Sequence, residues 1–63
     1  MSSADDALAR AETLLERLES ARARLEATDD PEAAIDILAE LAGIAKEVEG
    51  ELQRAKRAAD AGA

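Results

Sequence analysis

The stretch RAETLLERLESARARLEAT, residues 10–28, repeats every seven residues. Arg10-Ala11-Glu12, Arg17-Leu18-Glu19 and Arg24-Leu25-Glu26 are three copies of one unit, and Leu14, Ala21 and Thr28 each follow a copy by two residues. Seven residues is close to two turns of α-helix, so this period holds one narrow face against a neighbouring helix along its whole length. The repeat therefore demands a partner helix, supplied by the same chain, by a copy of it or by another protein.

The positions Ala7, Ala11, Leu14, Leu18, Ala21, Leu25 and Thr28 alternate spacings of four and three, which predicts a first helix over about residues 4–28. Ser3 is placed to cap its free amides, with Asp5 and Asp6 in the positive first turn. Leu8 and Leu15 lie on one edge of the stripe, the Arg10, Arg17, Arg24 row lies on the other, and Glu12, Glu19 and Glu26 lie farther round.

The segment TDDPEAA ends this helix and starts the next. Proline disfavours the helical conformation of the residue before it, while at the first position of a helix its missing N–H is harmless. Asp29 or Asp30 serves as cap, which sets the turn at residues 29–30 and the second helix at about 31–59. A connection this short makes the two helices antiparallel neighbours. On the second helix Leu38, Leu41, Ala45, Val48, Leu52, Ala55 and Ala59 again follow four-three spacing, with Ile37 and Ile44 thickening one edge. Arg54, Lys56 and Arg57 fall in its last turns, where cations favour the helix dipole, and residues 60–63 read as a frayed tail. The expected fold is all-α: an antiparallel two-helix hairpin of coiled-coil type.

The expected hairpin core is Leu14, Leu18 and Leu25 against Leu38, Leu41, Ala45, Val48 and Leu52. Leu8, Leu15, Ile37 and Ile44 are left over and are expected to meet a further helix. Gly43 and Gly50 lie together on the wheel, away from the Leu38–Leu52 stripe. Each costs about 1 kcal/mol relative to alanine inside a helix. Either they are tolerated at a solvent face or they admit the close approach of a partner helix.

Sixty-three residues form at most one small domain, and much of the 48% hydrophobic content is alanine, which buries little area. No aromatic residue enlarges the core and no cysteine staples it. A lone hairpin exposes half of each apolar face, so completion by oligomerisation or by docking on a partner's helices is expected. The absence of cysteine is compatible with the cytosol, and the start MSSADDAL shows no secretory pattern. A cytoplasmic location is therefore expected, with no membrane contact.

Direct chemistry is not expected. Without histidine, cysteine or tyrosine the chain lacks the usual nucleophile–base pairs and acid–base groups that work near neutral pH. Asp5, Asp6, Asp29 and Asp30 stand where caps belong, and bundle di-metal sites need the histidines this chain lacks, so neither cofactor nor metal is expected. A net charge of −7 opposes attraction to phosphate backbones. The arginine row is better explained by stems laid along the seam and pairing with acids of the second helix such as Glu51, so no direct nucleic-acid contact is expected.

The segments RLEATDDPEAAI and GIAKEVEGELQRAKR resemble the small subunit of bacterial exodeoxyribonuclease VII. Arg24-Leu25-Glu26-Ala27 and Asp29 match the family's closing run of helix one and its acidic turn. Ile44-Ala45-Lys46, Leu52 and Ala55 match its later Leu-Ala-basic motif. The resemblance spans roughly Leu15 to Arg57, with Thr28 where the family turn commonly has glycine. It implies a non-catalytic subunit bound to the helical region of a large subunit that degrades single-stranded DNA. The alternative expectation is a homodimeric four-helix bundle of Rop-like architecture, a structural or adaptor protein without enzymatic activity.

Overall fold

In the computed structural model, which describes residues 2–62, the chain forms two α-helices, α1 (Ser3–Ala27) and α2 (Pro31–Gly62). They lie side by side as a rod of 49 × 18 × 11 Å between Cα extremes, the all-α hairpin the heptads demand. At 32 residues α2 is seven longer than the 25-residue α1, so it overhangs α1 by about two turns at the open end.

Each boundary has a local cause. The Ser2 carbonyl accepts the first helical hydrogen bond, from Asp6 N–H at 3.1 Å, and the Ser2 hydroxyl accepts from Asp5 N–H at 3.1 Å. The cap is thus Ser2, and the expected cap Ser3 is instead the first helical residue. At the other end of α1, Thr28 takes an extended conformation (φ −93°, ψ 137°), as a residue two before the helix-starting Asp30-Pro31 pair readily does. Its hydroxyl accepts from Asp30 N–H at 3.3 Å. Asp30 then caps α2: its carboxylate accepts from Glu32 N–H at 3.1 Å and its carbonyl from Ala34 N–H at 3.0 Å. No described residue takes a positive φ, so the chain reverses without a glycine.

The far end departs from expectation. Residues 60–62 continue α2 rather than fraying, because the segment Ala58-Ala59-Asp60-Ala61 is built mostly of the strongest helix former. Arg54, Lys56 and Arg57 consequently lie more than a turn short of the helix end, too far in to compensate its terminal carbonyls.

The core is a single file. Among the described residues Leu14 and Ala21 of α1 and Ile37 and Ile44 of α2 are buried, with Leu25 and Leu41 packed against them in part. This corrects the division of α2. Ile37 and Ile44, expected on an outer edge, are the seam, and Ile44 at 1% exposure is the most enclosed large side chain of the molecule. Leu38 and Leu52, expected in the core, are 52% and 65% exposed, and Ala45 and Val48 are exposed as well. On α1 Leu14 and Leu25 stand as expected, while Leu18 is 41% exposed. One row of the α2 stripe is thus displaced by one residue, from Leu38, Ala45 and Leu52 to Ile37, Ile44 and Glu51, while the Leu41 row is kept. The face turned to α1 is rotated by roughly 50°, half the ~100° of one residue.

Candidate docking surface

The rotation gives the hairpin two unlike flanks. Along one of them the arginine row crosses to α2. Arg10 Nε donates to both carboxylate oxygens of Glu51 at 2.9 Å, Arg17 pairs with Glu47 at 2.7 Å and Arg24 with Glu40 at 2.5 Å. Arg54, one turn beyond Glu51, adds a contact of 2.7 Å to the same carboxylate. The seven-residue repeat is therefore a ladder of cations bridging this flank from the turn to the open end, and a groove lined by Ala9, Thr13, Leu14 and Gly50 runs beside the Arg10 and Arg17 rungs. Glu51 is the least exposed acid of the ladder, and both its arginine partners face it.

The other flank is apolar and open. Leu8, Leu15 and Leu18 of α1 stand beside Val48 and Leu52 of α2, with Leu38 nearer the turn. Leu8 and Leu15 are 59% and 63% exposed, as expected of residues that the hairpin seam does not use. In helical terms each helix carries two overlapping seams. On α1 the inner series is Ala7, Leu14 and Ala21, the outer series is Leu8, Leu15 and Arg22, and Ala11, Leu18 and Leu25 lie between them. On α2 the inner series is Ile37, Ile44 and Glu51, and the outer series is Leu38, Ala45, Leu52 and Ala59, with Leu41, Val48 and Ala55 between. On α2 the outer series is the row expected in the hairpin core; on α1 the expected core lies on the inner and intermediate rows, and Leu8 and Leu15 stand outside it as expected.

Arg22 interrupts the outer series of α1. It is held by Glu19 at 2.6 Å and Glu26 at 2.5 Å on its own helix. The bidentate hydrogen bond from Arg22 holds the Glu19 carboxyl below its ordinary value, and the paired carboxylates push the guanidinium pKa up. The fully apolar part of the flank therefore belongs to the open-end half of the rod, away from the turn.

Gly43 and Gly50 stand elsewhere. They follow Glu40 and Glu47 by three residues; Gly50 lines a groove on the ion-paired flank beside Arg10, Leu14, Glu47 and Glu51, and a Cβ built on either glycine meets nothing within 4 Å. Neither helix of the hairpin needs them to be glycine, and they do not adjoin the leucine surface. Of the six residues expected to meet a partner, the structure brings Leu8 and Leu15 together on the open flank. It places Ile37 and Ile44 inside, and Gly50 in the groove of the ion-paired flank, with Gly43 two turns before it.

No helix is long and apolar enough to cross a membrane, and no group of three or more acidic residues is placed to hold a metal ion, among the described residues. The chain matches no protein-family model, no curated protein and no solved structure.

Proposed function

We propose that the chain is a non-catalytic docking subunit whose apolar flank packs on the helical region of a larger protein. The observation that carries this is the row Leu8, Leu15, Leu18, Val48 and Leu52, open to solvent along half of a rod whose opposite flank is bridged by ion pairs. Contiguous apolar surface rimmed by charge marks an interaction site in a soluble chain. The pattern shared with exodeoxyribonuclease VII small subunits makes the large, single-strand-degrading subunit of such a nuclease the partner to test first, in the cytoplasm. The hydrolysis would then belong wholly to that partner, this chain acting by binding its helices.

The test is co-expression with the large nuclease subunit, followed by co-purification and degradation of single-stranded DNA with and without this chain. The wild-type chain is expected to be retained and to alter the large subunit's activity. Leu15→Asp and Leu52→Asp are expected to lose retention while keeping their helical circular dichroism, since neither side chain supports the hairpin seam. Failure of the large subunit to retain the wild-type chain would sink the nuclease assignment.

A second reading has its own support. Positions shared between two seams on both helices are the pattern of a four-helix bundle, which two hairpins joined through their open flanks would complete. Sedimentation equilibrium separates the two: a stable dimer that excludes the large subunit favours the bundle, and a monomer removes it.

A further inference from the structure

The apolar flank has unlike margins. On α1 each outer position is followed four residues later by an acid: Leu8 by Glu12, Leu15 by Glu19 and Arg22 by Glu26. Four residues is just over one turn, so the three exposed carboxylates line the outside of the apolar row, roughly 10 Å apart. Arg22 bridges the last two, and the margin keeps a surplus of negative charge. On α2 the corresponding residues after Leu38, Ala45 and Leu52 are Ala42, Glu49 and Lys56, which sum to no charge.

Resting on the docking reading above, we infer that the helix packing beside α1 on this flank is amphipathic and carries Lys or Arg at seven-residue spacing along the edge facing Glu12, Glu19 and Glu26. In paired helices such flanking charges select the partner and its orientation. A second copy of this chain does not supply that edge. Its seven-spaced basic row, Arg10, Arg17 and Arg24, lies on the opposite flank in ion pairs with Glu51, Glu47 and Glu40. The margins it could offer are the acidic one of α1 and the neutral one of α2, and it would bring a further net charge of −7. The favoured occupant is thus a different protein with a basic-edged helix.

The experiment uses the full chain and two synthetic helical peptides of roughly four heptads with the same leucine seam, one edged with Lys at every seventh position and one with Glu. Binding is read by fluorescence anisotropy at low and high salt. The Lys-edged peptide is expected to bind about tenfold tighter, as two or three exposed charge pairs allow, and the difference should shrink in high salt. Glu12→Lys should narrow the preference, and Leu15→Asp should abolish binding of both peptides. Equal binding, no binding of either peptide, or a preference that Glu12→Lys leaves untouched overturns the inference. Capture of the large nuclease subunit that is indifferent to both salt and Glu12→Lys leaves the docking reading standing and refutes the basic edge. A clear Lys-edge preference without capture of that subunit supports the basic edge and refutes the nuclease partner.

Discussion

Ile44→Ala is the substitution that bears hardest on the arrangement of the two seams. The side chain is 1% exposed and lies in a core that counts only four buried residues among those described. Truncation removes three buried carbons, about 2.4 kcal/mol at ~0.8 kcal/mol each, plus a small cavity contribution because an open-sided seam collapses easily. Alanine returns a few tenths of a kcal/mol through its helix propensity, which leaves a net loss of about 2–3 kcal/mol. In a chain this small each kcal/mol shifts the melting temperature by roughly 4–8 °C, so Tm should fall by about 10–20 °C. Leu52→Ala is the matched control. With 65% of the residue already in water, its loss should stay below about 1 kcal/mol. The assay is thermal unfolding followed by circular dichroism at 222 nm, at two protein concentrations well apart. If Leu52→Ala costs as much as Ile44→Ala at both concentrations, α2 faces α1 through the Leu38–Leu52 row and the seam described here is wrong. A Leu52→Ala cost that appears only at the higher concentration instead reports a self-associated form that covers the open flank.

Gly43→Ala and Gly50→Ala should each raise stability by about 0.5–1 kcal/mol, since the added Cβ meets nothing and the helix loses a flexible residue; a loss of stability would mean that something packs there. A double-mutant cycle on Arg17 and Glu47, both about half exposed, should give a coupling of about 0.5 kcal/mol that salt removes, and the cycle on Arg10 and Glu51 should give more because Glu51 is better shielded. Asp30→Ala should cost about 1 kcal/mol by uncapping α2, with Asp30→Ser or Asn retaining most of it, as urea unfolding would show. Because the Glu19 pKa is depressed in the folded chain, its contribution is present above the unfolded carboxylate value and is lost as pH falls through the lower folded one. Comparing acid titrations of the wild type and Glu19→Gln by circular dichroism isolates that part; identical curves would refute it.

The hairpin itself was legible because its signals are local: heptads on both helices, a proline at the first turn of α2 and an aspartate before it. The orientation of α2 was not, and Glu51 is the reason. Counting apolar residues favours Leu38, Ala45 and Leu52 over Ile37, Ile44 and Glu51, because a carboxylate looks out of place in a seam. Within the fold, Arg10 from α1 and Arg54 from the next turn satisfy that carboxylate, so the inner series tolerates it. A pairing between residues 41 positions apart is a tertiary fact that single-helix periodicity does not register. The heptads nevertheless carry the pairing of the arginine row with Glu51 and leave Leu8 and Leu15 outside the seam. The Arg10–Glu51 pair itself turns α2 by about half the angle of one residue and places both isoleucines inside. The shorter errors, Ser2 for Ser3 as cap and the continuation of α2 to Gly62, are boundary effects of one to three residues, the scale at which helix ends always resist sequence reading.

The ladder of arginines also limits growth. A helical hairpin sticky on both sides has a valence of two, and units of that kind add to one another without end, as filaments or layers. Here Arg10, Arg17 and Arg24 pair their charges with Glu51, Glu47 and Glu40, so that side offers an incoming helix a groove edged by paired ions in place of an open leucine row. On the docking reading the molecule then has a valence of one: it finishes a row of helices and starts no new one. Terminal repeats of helical solenoids end their stacks in the same way, with one greasy side and one polar side.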